Sequence, residues 1–127
     1  MDRFFARRPP VGRADREREA QPIMERLVVV YTTVARREDA RRIARAVVEG
    51  GLVACAQIEE IESWYVWQGE VVNEPELRVR MKTVASRYRE VERAILALHP
   101  YDLPAIHAVS VDEVHAPYAE WVERGSS

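Results

Sequence analysis

The amino-acid sequence predicts a single α/β domain with the element order β-α-β-β-α-β and an additional C-terminal helix. Four segments are rich in β-branched, aromatic or alternating apolar residues, as strands are, and two segments between them carry one apolar stripe at helical spacing. A Gln-Gly pair between two of the strand segments indicates a hairpin turn. This order is the split βαβ pattern of ferredoxin-like folds, in which both main helices cover one face of a four-stranded antiparallel sheet.

The first strand is followed directly by the first helix. Residues 27–31 form a β-branched and aromatic run that is typical of a buried strand. Glu38 and Asp39 fall in the first turn of the helix, where the helix dipole favours acidic side chains, and Gly50-Gly51 predicts its end. The apolar stripe of this helix consists of Ala40, Ile43, Ala44, Val47 and Val48.

The second and third strands form a long hairpin. Residues 52–58 are apolar except for Gln57, which predicts an interior strand covered on both faces. Residues 64–67, the Gln68-Gly69 turn and residues 71–72 complete the hairpin signal, after a run of glutamates at 59, 60 and 62 that is expected to be a solvated loop. Apolar and charged residues alternate over 76–83, so this strand has one charged face.

The last three elements are shorter. Ser86 is suited to the N-cap of the second helix, and His99-Pro100 ends it because the residue before proline avoids the α region. Its stripe consists of Tyr88, Val91, Ala94, Ile95 and Leu98. Residues 105–111 predict the fourth strand, and a final helix places Pro117 in its first turn.

Composition limits the class of protein. At 127 residues, 47% of them apolar, the chain has enough length for one packed domain and too little for two ordinary ones. No apolar run approaches the roughly 18 residues that span a bilayer, so no membrane partner is expected. A net charge of −2 gives no electrostatic case for nucleic acid. The single cysteine, Cys55, cannot form an intrachain disulfide, so we expect a reducing, cytoplasmic location.

Residues 1–23 differ from the rest of the chain. They carry six arginines, four acidic residues and a Pro-Pro pair, and they lack the apolar segment of a secretory signal. We expect a disordered leader, with Met24 as an alternative natural start, followed by one domain over residues 24–127. An organellar transit peptide is the weaker alternative, because such peptides are poor in acidic residues.

The length of the predicted hairpin has a consequence for assembly. Strands over residues 52–67 and 70–83 would reach on the order of 45–50 Å at about 3.3 Å per residue. A domain of about 100 residues has a radius of gyration near 13 Å and cannot cover such a ribbon alone. We therefore expect a partner for the projecting apolar ribbon, most simply another copy of the same chain.

Several short motifs occur in a specific order. They are Leu52-Val53-Ala54-Cys55-Ala56, Ser63-Trp64-Tyr65-Val66-Trp67-Gln68-Gly69, Glu76, Met81-Lys82-Thr83, His99-Pro100-Tyr101 with Pro104, and the closing Tyr118 to Trp121. Through them the sequence resembles the CutA family of divalent-cation tolerance proteins over residues 24–123. The resemblance implies a ferredoxin-like fold, a tight homotrimer joined by strand pairing, high heat resistance and a role in tolerance to copper and other divalent metals. It also implies a fold similar to that of PII-type signalling trimers.

Copper prefers sulfur and imidazole ligands, which makes His99 and Cys55 the candidate metal residues. Each also has a structural interpretation. Cys55 lies in an apolar strand and suits the core, and His99 ends a helix where a cation complements the dipole. Members of the resembled family credited with copper binding have a cysteine in the first strand and two histidines before Pro-Tyr. This sequence has Thr32 and Leu98 at those places, so of that set only His99 carries over.

A second group of candidates suggests a cleft or a subunit interface and consists of Tyr65, Trp67, Glu76 and Lys82. Tyr65, Trp67 and Lys82 are of the types that would hold a small anion near a subunit seam, as PII-type proteins hold nucleotides. The alternative is that the aromatic residues pack in the trimer while Lys82 pairs with Glu70 or Glu76.

Catalytic signals do not stand out. The sequence contains no phosphate loop, no dinucleotide-binding glycine motif and no metalloprotease helix, so a non-enzymatic protein that requires no cofactor is predicted. The first hypothesis is a trimeric metal-response protein with weak binding of copper or another divalent cation. The second is a signalling or scaffold trimer that binds a small anion or a protein partner at its subunit clefts. A hydrolytic enzyme on the same fold ranks third.

Overall fold

A computed structural model describes residues 25–127, and the predictions made for residues 1–23 and for Met24 lie outside them. The elements are β1 (Leu27–Val34), α1 (Arg37–Glu49), β2 (Cys55–Trp67), β3 (Glu70–Val84), α2 (Tyr88–Leu98), β4 (Ile106–Ser110) and α3 (Ala116–Gly125). The predicted order of strands and helices is confirmed. A 3₁₀ turn over Ala85–Arg87 precedes α2.

The strands form one four-stranded sheet in the order β2-β3-β1-β4, with antiparallel pairing throughout. This is the strand order of a ferredoxin-like fold, and it confirms the predicted class. β1 lies at the centre, where Val30 pairs with Met81 of β3 and with Ala108 of β4. The two outer strands, β2 and β4, each have one edge without a neighbour within the described residues.

The main core lies between the sheet and the helices α1 and α2. Alternate residues of β1 and β3 face the helices, as the alternating pattern requires. The fully buried side chains of this layer include Val30, Val34, Ile43, Val47, Val79, Met81, Val91 and Ile95. A smaller cluster on the opposite face holds α3 against the sheet through Leu27, Val84, Ala119 and Val122.

The position of β2 corrects one prediction. Residues 52–58 were expected to form an interior strand, but β2 begins at Cys55 and lies at the edge of the sheet. Both of its faces are covered at this end: Ala56 and Ile58 pack against the main core, and Cys55, on the opposite face, has its Sγ 4.0 Å from the Tyr118 hydroxyl of α3. An apolar pattern reports coverage of the two faces, and it does not report a neighbour in the hydrogen-bonding direction.

The hairpin between β2 and β3 is as long as predicted. β3 alone has fifteen residues, which corresponds to roughly 50 Å at about 3.3 Å each. Gln68 and Gly69 both have positive φ, 51° and 81°, as a tight two-residue hairpin turn requires. Four large apolar side chains of the hairpin tip, residues 64–72, are 57–72% exposed: Trp64, Val66, Trp67 and Val71.

The glutamates before the hairpin tip also differ from expectation. Glu59, Glu60 and Glu62 belong to β2 and do not form a loop. Glu59 accepts a hydrogen bond of 2.9 Å from Arg78 across the strand pair, and this bond is the main reason that the pKa of Glu59 is lowered. Glu60 pairs with Arg37 of α1 at 2.8 Å. Cross-strand and helix-to-strand ion pairs therefore let a charged segment continue as a strand.

Ser86 does not cap α2 as predicted. It lies inside the 3₁₀ turn, and its hydroxyl donates to Glu25 at 2.8 Å. Helix α2 has no side-chain cap at its start and ends at Leu98 before His99-Pro100, as expected. Among the described residues, no helix has the length and apolar character needed to cross a membrane.

Candidate functional site

A cleft of about 470 Å³ lies between the hairpin and the loop that precedes β4. It opens on the face of the sheet opposite α1 and α2. Its aromatic and acidic lining residues are Tyr65, Trp67, Glu74, Glu76, Tyr101 and Asp102. Its volume falls in the usual range of about 300–1,000 Å³ for small-molecule sites.

The hairpin register brings the first part of this lining together. Ser63 pairs with Glu74, and Tyr65 pairs with Val72. Because residues two apart in a strand share a face, Ser63, Tyr65, Glu74 and Glu76 all point to the same side of the hairpin. Strand alternation therefore places two carboxylates beside a tyrosine and a serine.

Glu76 is the most connected side chain of the cleft. Its Oε1 accepts a hydrogen bond of 2.7 Å from the Ser63 hydroxyl, and its Oε2 accepts one of 2.8 Å from the Tyr101 hydroxyl. Tyr65 donates in the same way to Oε1 of Glu74. The two carboxylates are thus fixed by hydroxyl donors, which restricts their rotamers before any ligand arrives.

The tyrosine hydroxyls stay protonated well above neutral pH. The hydrogen bond to Glu74 is the main reason that the pKa of Tyr65 rises to about 12. Burial, followed by the hydrogen bond to Glu76, raises the pKa of Tyr101. Both hydroxyls therefore remain donors, and no lysine, arginine or histidine is present among the residues that line the cleft to offset its three carboxylates.

His99 lies next to this cleft and holds its loop in place. Its Nε2 lies 2.8 Å from the Thr33 carbonyl oxygen, and its Nδ1 accepts a hydrogen bond of 3.2 Å from the Tyr101 amide. A carbonyl can only accept, so the ring is assigned as the neutral tautomer with the proton on Nε2. Both ring nitrogens are already engaged with the backbone, so a metal ligated by His99 would have to displace one of these bonds.

Cys55 lies at the other end of the sheet. It is half-buried, and its Sγ is 4.0 Å from the Tyr118 hydroxyl of α3. Burial, followed by this thiol, raises the pKa of Tyr118 to about 12. Cys55 pairs with Lys82 of β3, which in turn pairs with Val29 of β1. The His99 ring, in contrast, contacts Thr33 of β1. That offset of four residues along β1 corresponds to on the order of 13 Å. The structure therefore does not bring the two candidate metal residues together within one chain.

Of the four residues predicted for a cleft or an interface, three line this cleft and one does not. Tyr65, Trp67 and Glu76 line the cleft, but Lys82 is six residues beyond Glu76 on β3. The Lys82 ammonium donates to the Gln57 side chain at 2.8 Å and is not paired with Glu70 or Glu76. On this face of the sheet, the guanidinium carbon of Arg78 lies 5.5 Å from the centroid of the Tyr31 ring.

Sequence reasoning assigned no role to Glu74 or Ser63 and quoted Tyr101 only as part of a motif. A usable signal was present for the first two. Counting outward from the Gln68-Gly69 turn pairs Ser63 with Glu74, which puts both on the face of Tyr65. The contact of Tyr101 with Glu76 depends on the conformation of a loop, and no periodic pattern specifies it.

The fold and the cleft define a small ferredoxin-like α/β protein with an extended hairpin. Residues 28–125 match the family model described as CutA1 divalent ion tolerance protein, and the chain belongs to that family. It is 39% identical over 99 residues to a divalent-cation tolerance protein CutA of Thermus thermophilus, covering 77% of this chain and 96% of the relative.

Solved structures agree with this assignment. The structure of CutA from Synechococcus elongatus superposes with a TM-score of 0.78 at 30% identity, covering 86% of this chain and 99% of that one. A protein of Archaeoglobus fulgidus, described as a periplasmic divalent cation tolerance protein CutA, gives a TM-score of 0.77 at 28% identity, with 80% and 99% coverage.

Proposed function

We propose that this protein acts as a homotrimer in tolerance to divalent metal ions, copper among them, and that it does so without catalysing a reaction. The observation that carries the assembly is the hairpin tip, whose large apolar side chains are 57–72% exposed. Surfaces of this kind mark interaction sites, and a closed ring of three copies covers them without leaving an edge for further growth.

The two outer strands support the same assembly. β2 and β4 form the edges of the sheet, and four of the five residues of β4 are exposed. Free edges present unpaired N–H and C=O groups, which a neighbouring copy can satisfy. Pairing of β2 from one copy with β4 of the next would extend the sheet around the ring.

The metal role rests on family membership, and the binding that we propose is weak. The part of the chain that the structure describes contains no group of three or more His, Cys, Asp or Glu side chains placed to hold a metal ion. Of the two candidates, His99 has both ring nitrogens engaged and Cys55 lies apart from it. Displacing a backbone hydrogen bond subtracts from the free energy of metal binding.

Calorimetric titration of the full chain with copper tests this proposal. If His99 is a ligand, His99→Ala lowers the affinity at least tenfold, which corresponds to about 1.4 kcal/mol. His115→Ala is the matched control, because His115 lies in the loop before α3. Cys55→Ser is expected to lower stability whether or not the thiol binds copper, so that variant tests packing better than it tests metal binding. Equal curves for wild type and His99→Ala would remove His99 from the site, and absence of any copper heat would overturn metal binding.

A cytoplasmic location is part of the same proposal, supported by the single unpaired cysteine. The Archaeoglobus fulgidus neighbour, in contrast, is described as periplasmic. Fractionation of cells that express the full chain, with marker proteins for each compartment, decides between the two.

A second candidate function, a signalling or scaffold trimer, is favoured by one observation, the preformed cleft beside the hairpin. The structure also bears on its ligand. An anion would face three carboxylates with no cationic side chain among the lining residues, so the field of the cleft favours a positive ligand. A protein partner presenting a basic group would satisfy the same field.

A further inference from the structure

A cationic and aromatic layer crosses the face of the sheet opposite α1 and α2. Tyr31 of β1 is stacked on His107 of β4, with 5.2 Å between the ring centroids. The guanidinium carbons of Arg78 and Arg80 of β3 lie 5.5 and 5.9 Å from the centroid of the same Tyr31 ring. Glu59 of β2 forms ion pairs with both arginines. The layer therefore spans all four strands and carries two arginines for one glutamate.

One carboxylate oxygen serves both arginines, and Arg80 is the less satisfied of the two. Oε1 of Glu59 accepts a hydrogen bond of 2.9 Å from Nε of Arg78, but it lies 3.9 Å from Nε of Arg80, which is beyond hydrogen-bond distance. The Arg80 Nε is buried and has no hydrogen-bond partner in the described part of the chain. Along β3, Lys82 follows on this face and Glu76 precedes, and their opposite charges leave the balance unchanged. The layer thus has one excess positive charge and a buried donor that lacks an acceptor.

A groove of about 310 Å³ opens beside this layer. Arg78 and His107 line it together with Tyr31, and no carboxylate belongs to the described residues that form its walls. This composition is the opposite of that in the acidic cleft beside the hairpin. An anion in the groove would meet a guanidinium group and an imidazole N–H donor without a negative side chain on the walls.

In the proposed homotrimer, this face of the sheet turns toward the threefold axis. Three sheets joined from β2 to β4 form a ring of twelve strands, which at about 4.8 Å per strand is on the order of 20 Å across. Helices with their side chains are about 10–12 Å wide, so the three copies of α1 and α2 fit only outside this ring. α3 covers the inner face at Leu27 and Val84, four residues along β1 from Tyr31. Three copies of the layer would then face one another around the axis.

We propose that the homotrimer encloses one small tetrahedral oxyanion, such as inorganic phosphate, on its threefold axis between the Arg78 and Arg80 side chains of the three chains. The inference rests on the homotrimer of the proposed function and adds a ligand to it. Like charges brought together away from water repel strongly, and an anion between them replaces that repulsion by attraction. Oxyanions also match the planar array of N–H donors on arginine, and they supply the acceptor that Arg80 lacks.

Calorimetric titration of the full chain with inorganic phosphate, in chloride buffer of constant ionic strength, tests the proposal. We expect saturation at one phosphate per three chains and a melting temperature that rises with phosphate, because an anion that binds only the assembled state stabilises it. Millimolar phosphate suffices, well below the concentrations at which its exclusion from protein surfaces stabilises proteins in general. Saturation at one phosphate per chain, or a trimeric protein without heat or melting shift, would overturn the proposal.

ATP serves as the second titrant, because it carries the same phosphate chemistry on a larger molecule. An enclosed axis has no room for the base and the sugar, so ATP is expected neither to bind there nor to compete with phosphate. Competition between the two would show an open phosphate site and would contradict an enclosed one.

Two variants with opposite expected effects assign the binding to this layer. Arg80→Gln is expected to weaken phosphate binding about tenfold, whereas Glu59→Gln removes the internal counter-charge and is expected to strengthen it about tenfold. Their controls are Arg41→Gln on the exposed side of α1 and Glu60→Gln on the other face of β2, and neither should change the affinity. Changes of the same sign in Arg80→Gln and Glu59→Gln, or equal changes in a variant and its control, would overturn the assignment.

Light scattering on each protein separates this inference from the proposed function. A trimeric wild type that binds no phosphate loses the anion site and keeps the homotrimer. A wild type that is not trimeric overturns both, since the site needs three chains. Where a variant fails to assemble, the stoichiometry of phosphate on the wild type decides alone.

Discussion

Thr32 buries its hydroxyl without a hydrogen-bond partner in the described part of the chain. The residue is 1% exposed and lies in β1 on the face that packs against the helices, opposite Val79. An unsatisfied buried hydroxyl costs about 1–3 kcal/mol, and valine has nearly the same shape. We therefore predict that Thr32→Val raises the free energy of unfolding by about 1 kcal/mol.

Thr83 provides the matched control for this prediction. It is also fully buried on the same face, but its hydroxyl donates to the Leu52 carbonyl at 2.7 Å. Thr83→Val is expected to lower the free energy of unfolding, because it leaves that carbonyl without its donor. Urea unfolding at one protein concentration measures both variants, and a shift of the same sign in both would contradict the explanation.

Tyr118 gives the protein a specific response to alkaline pH. Its pKa is about 12 in the folded chain, chiefly because of burial, against an ordinary value near 10.0. Since the folded state holds this proton more tightly, the stability it contributes is present below pH 10 and lost as the pH rises through about 12. We predict that wild type loses more stability between those two values than Tyr118→Phe does.

Denaturant midpoints measured across this alkaline range decide the point. A smaller decrease in Tyr118→Phe supports the assignment, whereas parallel curves for the two proteins would show that the Tyr118 proton contributes nothing to the alkaline loss.

At the scale of single residues, the sequence predicted residue types better than it predicted partners. Tyr65, Trp67 and Glu76 were selected by their chemistry, and the structure brings them into one cleft. Lys82 was selected by the same logic but donates to Gln57. Position along a strand specifies the face of a side chain, but its partner depends on which of several nearby groups its rotamer reaches.

The hairpin is the element on which the proposed assembly depends. Its tip projects from the domain with large apolar side chains exposed. We predict that deleting residues 64–72 and joining the strands with a tight turn yields a monomer or an aggregate. The reason is that an obligate interface of about 2,000 Å² or more per pair would be lost.

Light scattering coupled to size-exclusion chromatography measures the result, together with the melting temperature. Leu103→Ser is the control, since Leu103 is 82% exposed and lies outside the hairpin. That variant is expected to keep the wild-type mass. A shortened hairpin that keeps a trimeric mass and an unchanged melting temperature would exclude the tip as the source of assembly.

Elements with a regular period were predicted well, and those governed by local competition were not. The alternation in β3 specified its faces correctly, and the stripe of α1 did so except at Val48, which is 42% exposed. The start of α2 was misassigned because Ser86 had a competing partner, Glu25, sixty-one residues away in the chain. The edge position of β2 was missed because the main core covers one face of its first residues and α3 covers the other. An apolar pattern reports that coverage and not the presence of a neighbouring strand.

At the scale of the whole molecule, connectivity and length together specified the topology. A β-α-β-β-α-β order with right-handed crossovers leaves few arrangements for a four-stranded sheet, and the observed order β2-β3-β1-β4 is that of the predicted ferredoxin-like class. The second face of the sheet was less predictable. A charged and aromatic network on that face joins three strands: Tyr31 of β1, Glu59 of β2, and Arg78 and Arg80 of β3.

The two hydrogen bonds of His99 couple metal binding at this ring to ligand binding in the cleft. A metal ion that took Nδ1 would displace the Tyr101 amide and loosen the loop that places the Tyr101 hydroxyl on Glu76. Coupling between two binding sites is reciprocal, so a ligand that needs an ordered Tyr101 would oppose the metal by the same factor. One imidazole would then make the two ligands antagonists, although neither touches the other.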